Sequence, residues 1–219
     1  LVAHGGRGAQ HRFGASLEPG NEIEFVYSQA PERDLGTLRE ATLRRAHLAG
    51  ASRLDAMGAG LAIVELLDRL VPEGAGEPGL GEEAAVALAA MGRAADRGAV
   101  LLLFYGFECR LLGRMGLEPQ LGHCESCGLA AGERAGSLDV RAGAYRCRAC
   151  PGGEGRLLLP AEAARLLAAA ASGSAEEVAQ LESTPRSRRL VGIALHRLLA
   201  THLERYRYPR SLALLKKVD

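Results

Sequence analysis

The 219 residues are 47% hydrophobic, 24% charged and 4% aromatic, the proportions of an ordinary globular protein, which set aside disorder and collagen-like structure and leave core enough for one or two domains. The formal net charge of +1 hides a gradient: 12 basic and 16 acidic residues lie in 1–122, 4 of each in 123–155, and 11 basic against 6 acidic in 156–219. Positive charge therefore collects at the C-terminal end, where a polyanion would meet it.

The chain opens LVAHGGRGAQ, without the basic start and apolar core of a signal peptide. Beginning with Leu1 rather than Met, it is expected to be a fragment of a longer chain. In Asn21-Glu-Ile-Glu-Phe-Val-Tyr27 the apolar Ile23, Phe25 and Tyr27 alternate with Glu22 and Glu24, the period-two signature of a half-buried strand, so the first forty residues are expected to be β. Residues 34–43 stay open. Thr37-x-x-Glu40 forms a capping box that would start a helix, whereas Leu35, Thr37, Arg39 and Ala41 would share one face of a strand; propensity leans to helix.

From about Arg44 the pattern is helical, with Leu61, Val64, Leu67 and Val71 recurring every three to four residues up to a Gly- and Pro-rich break from Pro72 to Gly81. Residues 82–97 and 99–115 continue as Ala- and Leu-rich helices. The longest apolar run, 99–107, is soon followed by Glu108 and Arg110, far short of the roughly 20 residues of a membrane span, so a soluble protein with no membrane partner is expected. Cys109, among Leu, Phe and Tyr, reads as a buried core thiol.

Four of the five cysteines form Cys124-x-x-Cys127 and Cys147-x-x-Cys150, the spacing of a four-cysteine zinc site. Each CxxC turn lets two thiolates converge on one ion, and Gly128 after the first pair and Pro151, Gly152 and Gly153 after the second tolerate such knuckles. Residues 136–145 between the pairs read as a short hairpin. The alternatives are two disulfides in a secreted protein or redox-active pairs; the duplicated spacing and the lack of a secretory segment favour one zinc. With all four positions held by thiolate there is no open coordination site, so its role is structural. His123, beside Cys124, is an alternative ligand.

Beyond the ribbon, Pro160 opens a helix to Ala171, Ala175 starts a short one, and 188–205 reads as a long amphipathic helix on which His196 and His202 are surface or satisfied histidines. Residues 183–219 carry nine basic residues against Glu204 and Asp219. Arg205, Arg207, Arg210, Lys216 and Lys217 follow the helix, and Tyr206 and Tyr208 are interleaved with them. A basic track with aromatic rings suits sequence-independent binding of single strands; the competing account is a solvated face with the tyrosines in the core. No Walker A loop, HExxH, GxSxG or carboxylate constellation is found, so an enzyme is not expected.

Gly6-Arg-Gly, Arg12-Phe-Gly, Leu17-x-Pro19, Asp34-Leu-Gly-Thr-Leu-Arg-Glu-Ala41 and Val64-Glu-Leu-Leu-Asp-Arg-Leu70 resemble the RecO family of bacterial recombination mediators. Most specific is Phe107-Glu-Cys-Arg-Leu-Leu-Gly-Arg-Met-Gly-Leu-Glu-Pro119 running into Cys124-Glu-Ser-Cys-Gly128. The resemblance covers essentially the whole chain. It implies an α+β fold: a partial N-terminal OB-fold barrel in 1–43, a helical domain in 44–122 and 156–219, and a zinc ribbon inserted at 123–155. It also makes 34–42 a strand.

The family's chain begins with further residues that supply the first barrel strands, so the barrel as given is not expected to close. Its first Gly-rich segment is usually lysine-rich, whereas here it reads His4-Gly-Gly-Arg-Gly-Ala-Gln-His-Arg12; with 2 Lys against 25 Arg in the chain, arginine replaces lysine generally. Arg7, His11 and Arg12 then become candidate phosphate contacts, or part of a plain connecting turn.

The resemblance further implies a cytoplasmic, nucleoid-associated bacterial protein that binds single- and double-stranded DNA. It would anneal complementary strands and help RecA, with RecR, onto strands coated by single-stranded-DNA-binding protein. The acidic, apolar-ended tail of that last partner needs an apolar floor and cations; Phe107, Leu111 and Met115 at four-residue spacing, with Arg110 and Arg114 beside them, would supply both, unless the helix is simply core. The second function class is a zinc-ribbon adaptor without DNA affinity of its own.

Overall fold

A computed structural model describes residues 1–4, 13–32, 34–49, 51, 53–72, 79–150 and 155–217. Strands β1 (Asn21–Ser28) and β2 (Thr37–Ala46) pair antiparallel, with Ile23 opposite Leu43, Phe25 opposite Ala41 and Val26 opposite Glu40. Val2 adds a parallel bridge, its amide donating to the Gly36 carbonyl and its own carbonyl accepting from Leu38. The ambiguous segment is thus a strand. Its backbone groups are taken up by β1, so Thr37 and Glu40 cap nothing, and local helix propensity loses to cross-strand pairing. The strand also runs on to Ala46, so the helix expected from Arg44 starts later.

Among the described residues this sheet has two strands and does not form a closed barrel. A short 3-10 helix, Gly14–Leu17, packs against both strands, with Phe13 and Leu38 buried. Phe25 and Tyr27, which alternation marked as half-buried, are 45% and 51% exposed.

Helices α1 (Leu54–Leu70), α2 (Leu80–Gly92) and α3 (Arg97–Arg114) begin the helical part. The break between α2 and α3 is set by Asp96, whose carboxylate caps α3 by accepting from the Ala99 amide at 2.9 Å. In α1 the buried stripe is Ala59, Ile63, Leu66 and Leu70, one position round from the Leu61, Val64 and Leu67 that the large apolar side chains suggested; the small alanines let neighbouring helices approach. Helix α3 lies at the centre, packed on α1, α2 and three later helices, which explains an apolar surface on all sides.

At the start of α1 the Asp55 carboxylate is wholly buried, held by the Arg53 guanidinium at 3.0 and 2.6 Å and by the Ala56 amide at 2.8 Å. The Arg53 hydrogen bond, chief among several, keeps its pKa below the usual range despite burial. Asp55→Asn is therefore expected to cost about 1.5–3 kcal/mol, the worth of charge-assisted hydrogen bonds, read as a lower urea midpoint at neutral pH. Because the folded pKa is depressed, this stabilisation is present above the unfolded carboxylate value and fades as pH falls through the folded one.

The second small sheet has the order β4-β3-β5, from β3 (Gly136–Asp139), β4 (Ala144–Cys147) and β5 (Leu157–Leu159). Helices α4 (Ala161–Ser172), α5 (Ala175–Ala179) and α6 (Pro185–His202) follow. Helix α6 starts earlier than its charge pattern suggested because Thr184 caps it, the hydroxyl accepting from the Ser187 amide, with Pro185 in the first turn. It ends at His202, before Arg205. The chain closes in a 3-10 helix, Arg210–Lys217, laid against α1. Leu138, Tyr145 and Leu159 of the ribbon sheet belong to the same core as the helices.

Candidate metal centre and nucleic-acid surface

The Cys124 and Cys127 knuckle closes through the Gly128 amide, which donates to the Cys124 carbonyl at 2.9 Å; Gly128 takes φ +73°, a conformation that side chains resist. The second knuckle begins at the end of β4, and the Glu125 amide, donating to the Tyr145 carbonyl at 2.9 Å, ties the first knuckle to that strand. All four Sγ atoms lie within 4.8 Å of one another. Cys127 and Cys147 are separated by 3.7 Å, too far for a disulfide and close to the roughly 3.8 Å edge of a tetrahedron with Zn–S arms of about 2.3 Å.

Burial acts to raise the Cys124 thiol, but amides of Cys147, Ser126 and Cys127 aimed at its sulfur outweigh this and bring the pKa down to about 6. Cys150 moves the other way, its thiol pushed up to about 12 chiefly by hydrogen bonding to Cys127 and Cys147; it is the gathering of four sulfurs in one place that fits a metal ion taking four thiolates. His123 is exposed and stands outside the cluster. Cys109 is buried, and burial first of all pushes its thiol up to about 12, as befits an inert core cysteine.

The predicted tail site is not an open pocket. Phe107 and Leu111 are fully buried in the core, because α3 is surrounded rather than set at the surface. Arg110 and Arg114 both reach Glu83 of α2, at 3.0 and 3.2 Å. Four-residue spacing in an all-round apolar helix marks every face as a candidate, and here the marked face is core.

Arg7, His11 and Arg12 lie outside the described residues. Arg205, Arg207 and Arg210 are exposed and close together in sequence after α6, joined by no ion pair to any described acidic residue. The backbone of Lys216 and Lys217 completes the 3-10 helix. Tyr206 is buried, its hydroxyl 3.2 Å from His196 Nδ1, while Tyr208 is 52% exposed and stands edge-on to the His196 ring. His202 Nε2 meets the Val140 carbonyl of the ribbon at 2.9 Å, tying α6 to the β3–β4 turn.

What sequence reasoning missed is the anchor of this basic segment. Glu65 of α1 accepts from the Arg210 amide at 3.1 Å and from the Ser211 amide and hydroxyl at 3.2 and 3.1 Å, and it pairs with Arg69. Burial acts to raise its pKa, yet those donors outweigh it and the net shift is downward. Glu65→Gln is expected to loosen the segment at neutral pH by about 1–3 kcal/mol. The gap to the parent in thermal melts should shrink as pH falls through the depressed Glu65 value, where the parent loses the same charge.

Comparison with known proteins gives a coherent result. The family profile described as "Recombination protein O C terminal" matches residues 51–212. The DNA repair protein RecO of Desulforamulus reducens is 31% identical over 72% of this chain and 59% of its own length. That of Geobacter metallireducens is 32% identical over 100% of this chain and 85% of its own. That of Roseiflexus sp. is 34% identical over 75% of this chain and 57% of its own. The match thus spans less than two thirds of the first and third of these relatives.

Proposed function

The chain belongs to the RecO family of DNA repair proteins, and from that premise we propose that it is a non-enzymatic recombination mediator. It binds single- and double-stranded DNA, anneals complementary strands, and with RecR helps RecA onto strands coated by single-stranded-DNA-binding protein, in the bacterial cytoplasm. The observation that supports DNA contact by this chain is the exposed Arg205, Arg207 and Arg210 cluster held by Glu65, since a fixed basic surface without base-edge readers suits strands of any sequence. The β1–β2 sheet is taken as part of an OB-fold barrel, consistent with its uncovered Phe25 and Tyr27. The four cysteines would hold one structural zinc; its chemistry is to neutralise and join thiolates, and the chain's own amides around Cys124 favour the ionised sulfur it needs.

Among the described residues no helix is long and apolar enough to cross a membrane. The direct test is annealing of complementary oligonucleotides precoated with single-stranded-DNA-binding protein. Acceleration by the protein over the spontaneous rate is expected. The adaptor account predicts none, together with no DNA binding.

A further inference from the structure

A cavity of about 760 Å³ opens between α3, α6 and the C-terminal segment. That volume is within the range of pockets that enclose small ligands, about 300–1,000 Å³. Its floor is unusual. Glu108 of α3 lines it and is only 4% exposed. Burial pushes its carboxyl well above the usual range, favouring the protonated acid. Arg188 donates through Nη1 to the Ser183 carbonyl and hydroxyl, while its buried Nε has no partner among the described residues. Opposite, Gly192 leaves room for the Tyr105 ring; a Cβ there would lie 2.7 Å from the phenol oxygen. Tyr208 and His196 form an aromatic wall, and Arg97 and Arg189 stand at the lining.

An apolar side chain placed here would leave these buried polar groups without partners, at about 1–3 kcal/mol each. A nucleobase would not. A protonated carboxyl sets a donor and an acceptor side by side, matching the edge of a base, and an aromatic wall offers a stacking surface. The same segment that supplies Tyr206 and Tyr208 supplies Arg205, Arg207 and Arg210, so a sugar-phosphate backbone lying on the arginines runs past the cavity mouth.

We propose that this cavity receives one unstacked base of a single strand, stacked against Tyr208 and held at its edge by Glu108. The inference rests on the DNA-binding function proposed above and adds to it a preference for single strands over duplex, whose bases are already paired.

The test measures binding of the zinc-loaded full chain to a labelled single strand, to the same strand with abasic positions, and to a duplex of equal length. The parent should bind the normal strand most tightly. Tyr208→Ala and Glu108→Leu, each shown folded by circular dichroism, should lose roughly tenfold of that affinity, the scale of one stacked base, and with it the discrimination against abasic strands. Their salt slope and duplex affinity should match the parent's, since no phosphate contact is removed. Irradiation of the parent with an iodouracil-substituted strand should crosslink at Tyr208, a readout that does not depend on a variant folding.

Folded variants that bind and discriminate like the parent, or crosslinks confined to other residues, would overturn the base pocket while leaving DNA binding intact. So would an acidic peptide with apolar end residues whose binding alone responds to these variants, which would make the cavity a peptide site. A parent without salt-dependent binding to any strand would remove both the pocket and the function it rests on.

Discussion

Replacing Cys147 with Ser will strip the metal from the protein and melt its ribbon. The parent should purify with close to one zinc ion per chain, because four sulfurs already gathered within 4.8 Å need little rearrangement to bind it. Loss of one thiolate leaves three, and the free energy at stake is on the order of 10 kcal/mol, as for structural zinc sites generally. The effect should reach beyond residues 123–155. Leu138 and Tyr145 are buried against the helical core, and His202 holds the Val140 carbonyl, so a disordered ribbon uncovers apolar surface on α6 and its neighbours. Metal analysis together with hydrogen exchange of β3 and β4 reads both parts: zinc near zero, and protection lost in the ribbon first. A parent that purifies without zinc, or a Cys147→Ser protein that keeps it, would contradict this account of the site.

The triple variant Arg205→Ala, Arg207→Ala, Arg210→Ala should bind DNA about two orders of magnitude more weakly at 0.15 M salt. Each phosphate neutralised on duplex DNA contributes a slope of about 0.9 in log K against log salt, so three lost contacts reduce the slope by nearly three, and over the roughly 0.8 decade from 0.15 M to 1 M salt that amounts to about two orders of magnitude in affinity. The loss should be uniform across sequences, since arginines on phosphates read no bases. Folding is expected to survive. The side chains are exposed, and the segment is anchored through the Arg210 amide and Ser211, which the substitutions leave in place. A folded triple variant with parental affinity and slope would make this surface merely solvated and move DNA contact to the N-terminal part of the chain.

How legible these features were in the sequence depends on how local their causes are. The four-cysteine cluster is two short motifs whose spacing is local, so the gathering of its four sulfurs could be read directly. The strand at β2 could not: Thr37 and Glu40 satisfy a helix rule, and only the pairing with β1 decides against it. In α1 the large side chains Leu61, Val64 and Leu67 drew attention from the alanine-containing stripe that is buried. In α3 an all-round apolar sequence carries no facial information, so the spacing of Phe107 and Leu111 suits a docking floor and a core helix alike, and the structure puts both in the core.

The cavity was hidden for another reason. Glu108, Arg188 and Tyr208 are brought together only by the packing of α3, α6 and the C-terminal segment. The single sequence signal was an acidic residue inside an apolar helix, since burying a carboxyl is costly enough to ask for an explanation. Glu65 gave less warning still, being an ordinary helix glutamate whose partners lie 145 and 146 positions away.

The most direct measurement is the affinity of the full chain for a labelled oligonucleotide as a function of salt. Phosphate neutralisation by the C-terminal arginines predicts a straight line in log K against log salt, falling by several units per decade. A flat line, or no binding at low salt, would contradict a DNA-binding mediator and leave a zinc-ribbon adaptor in its place.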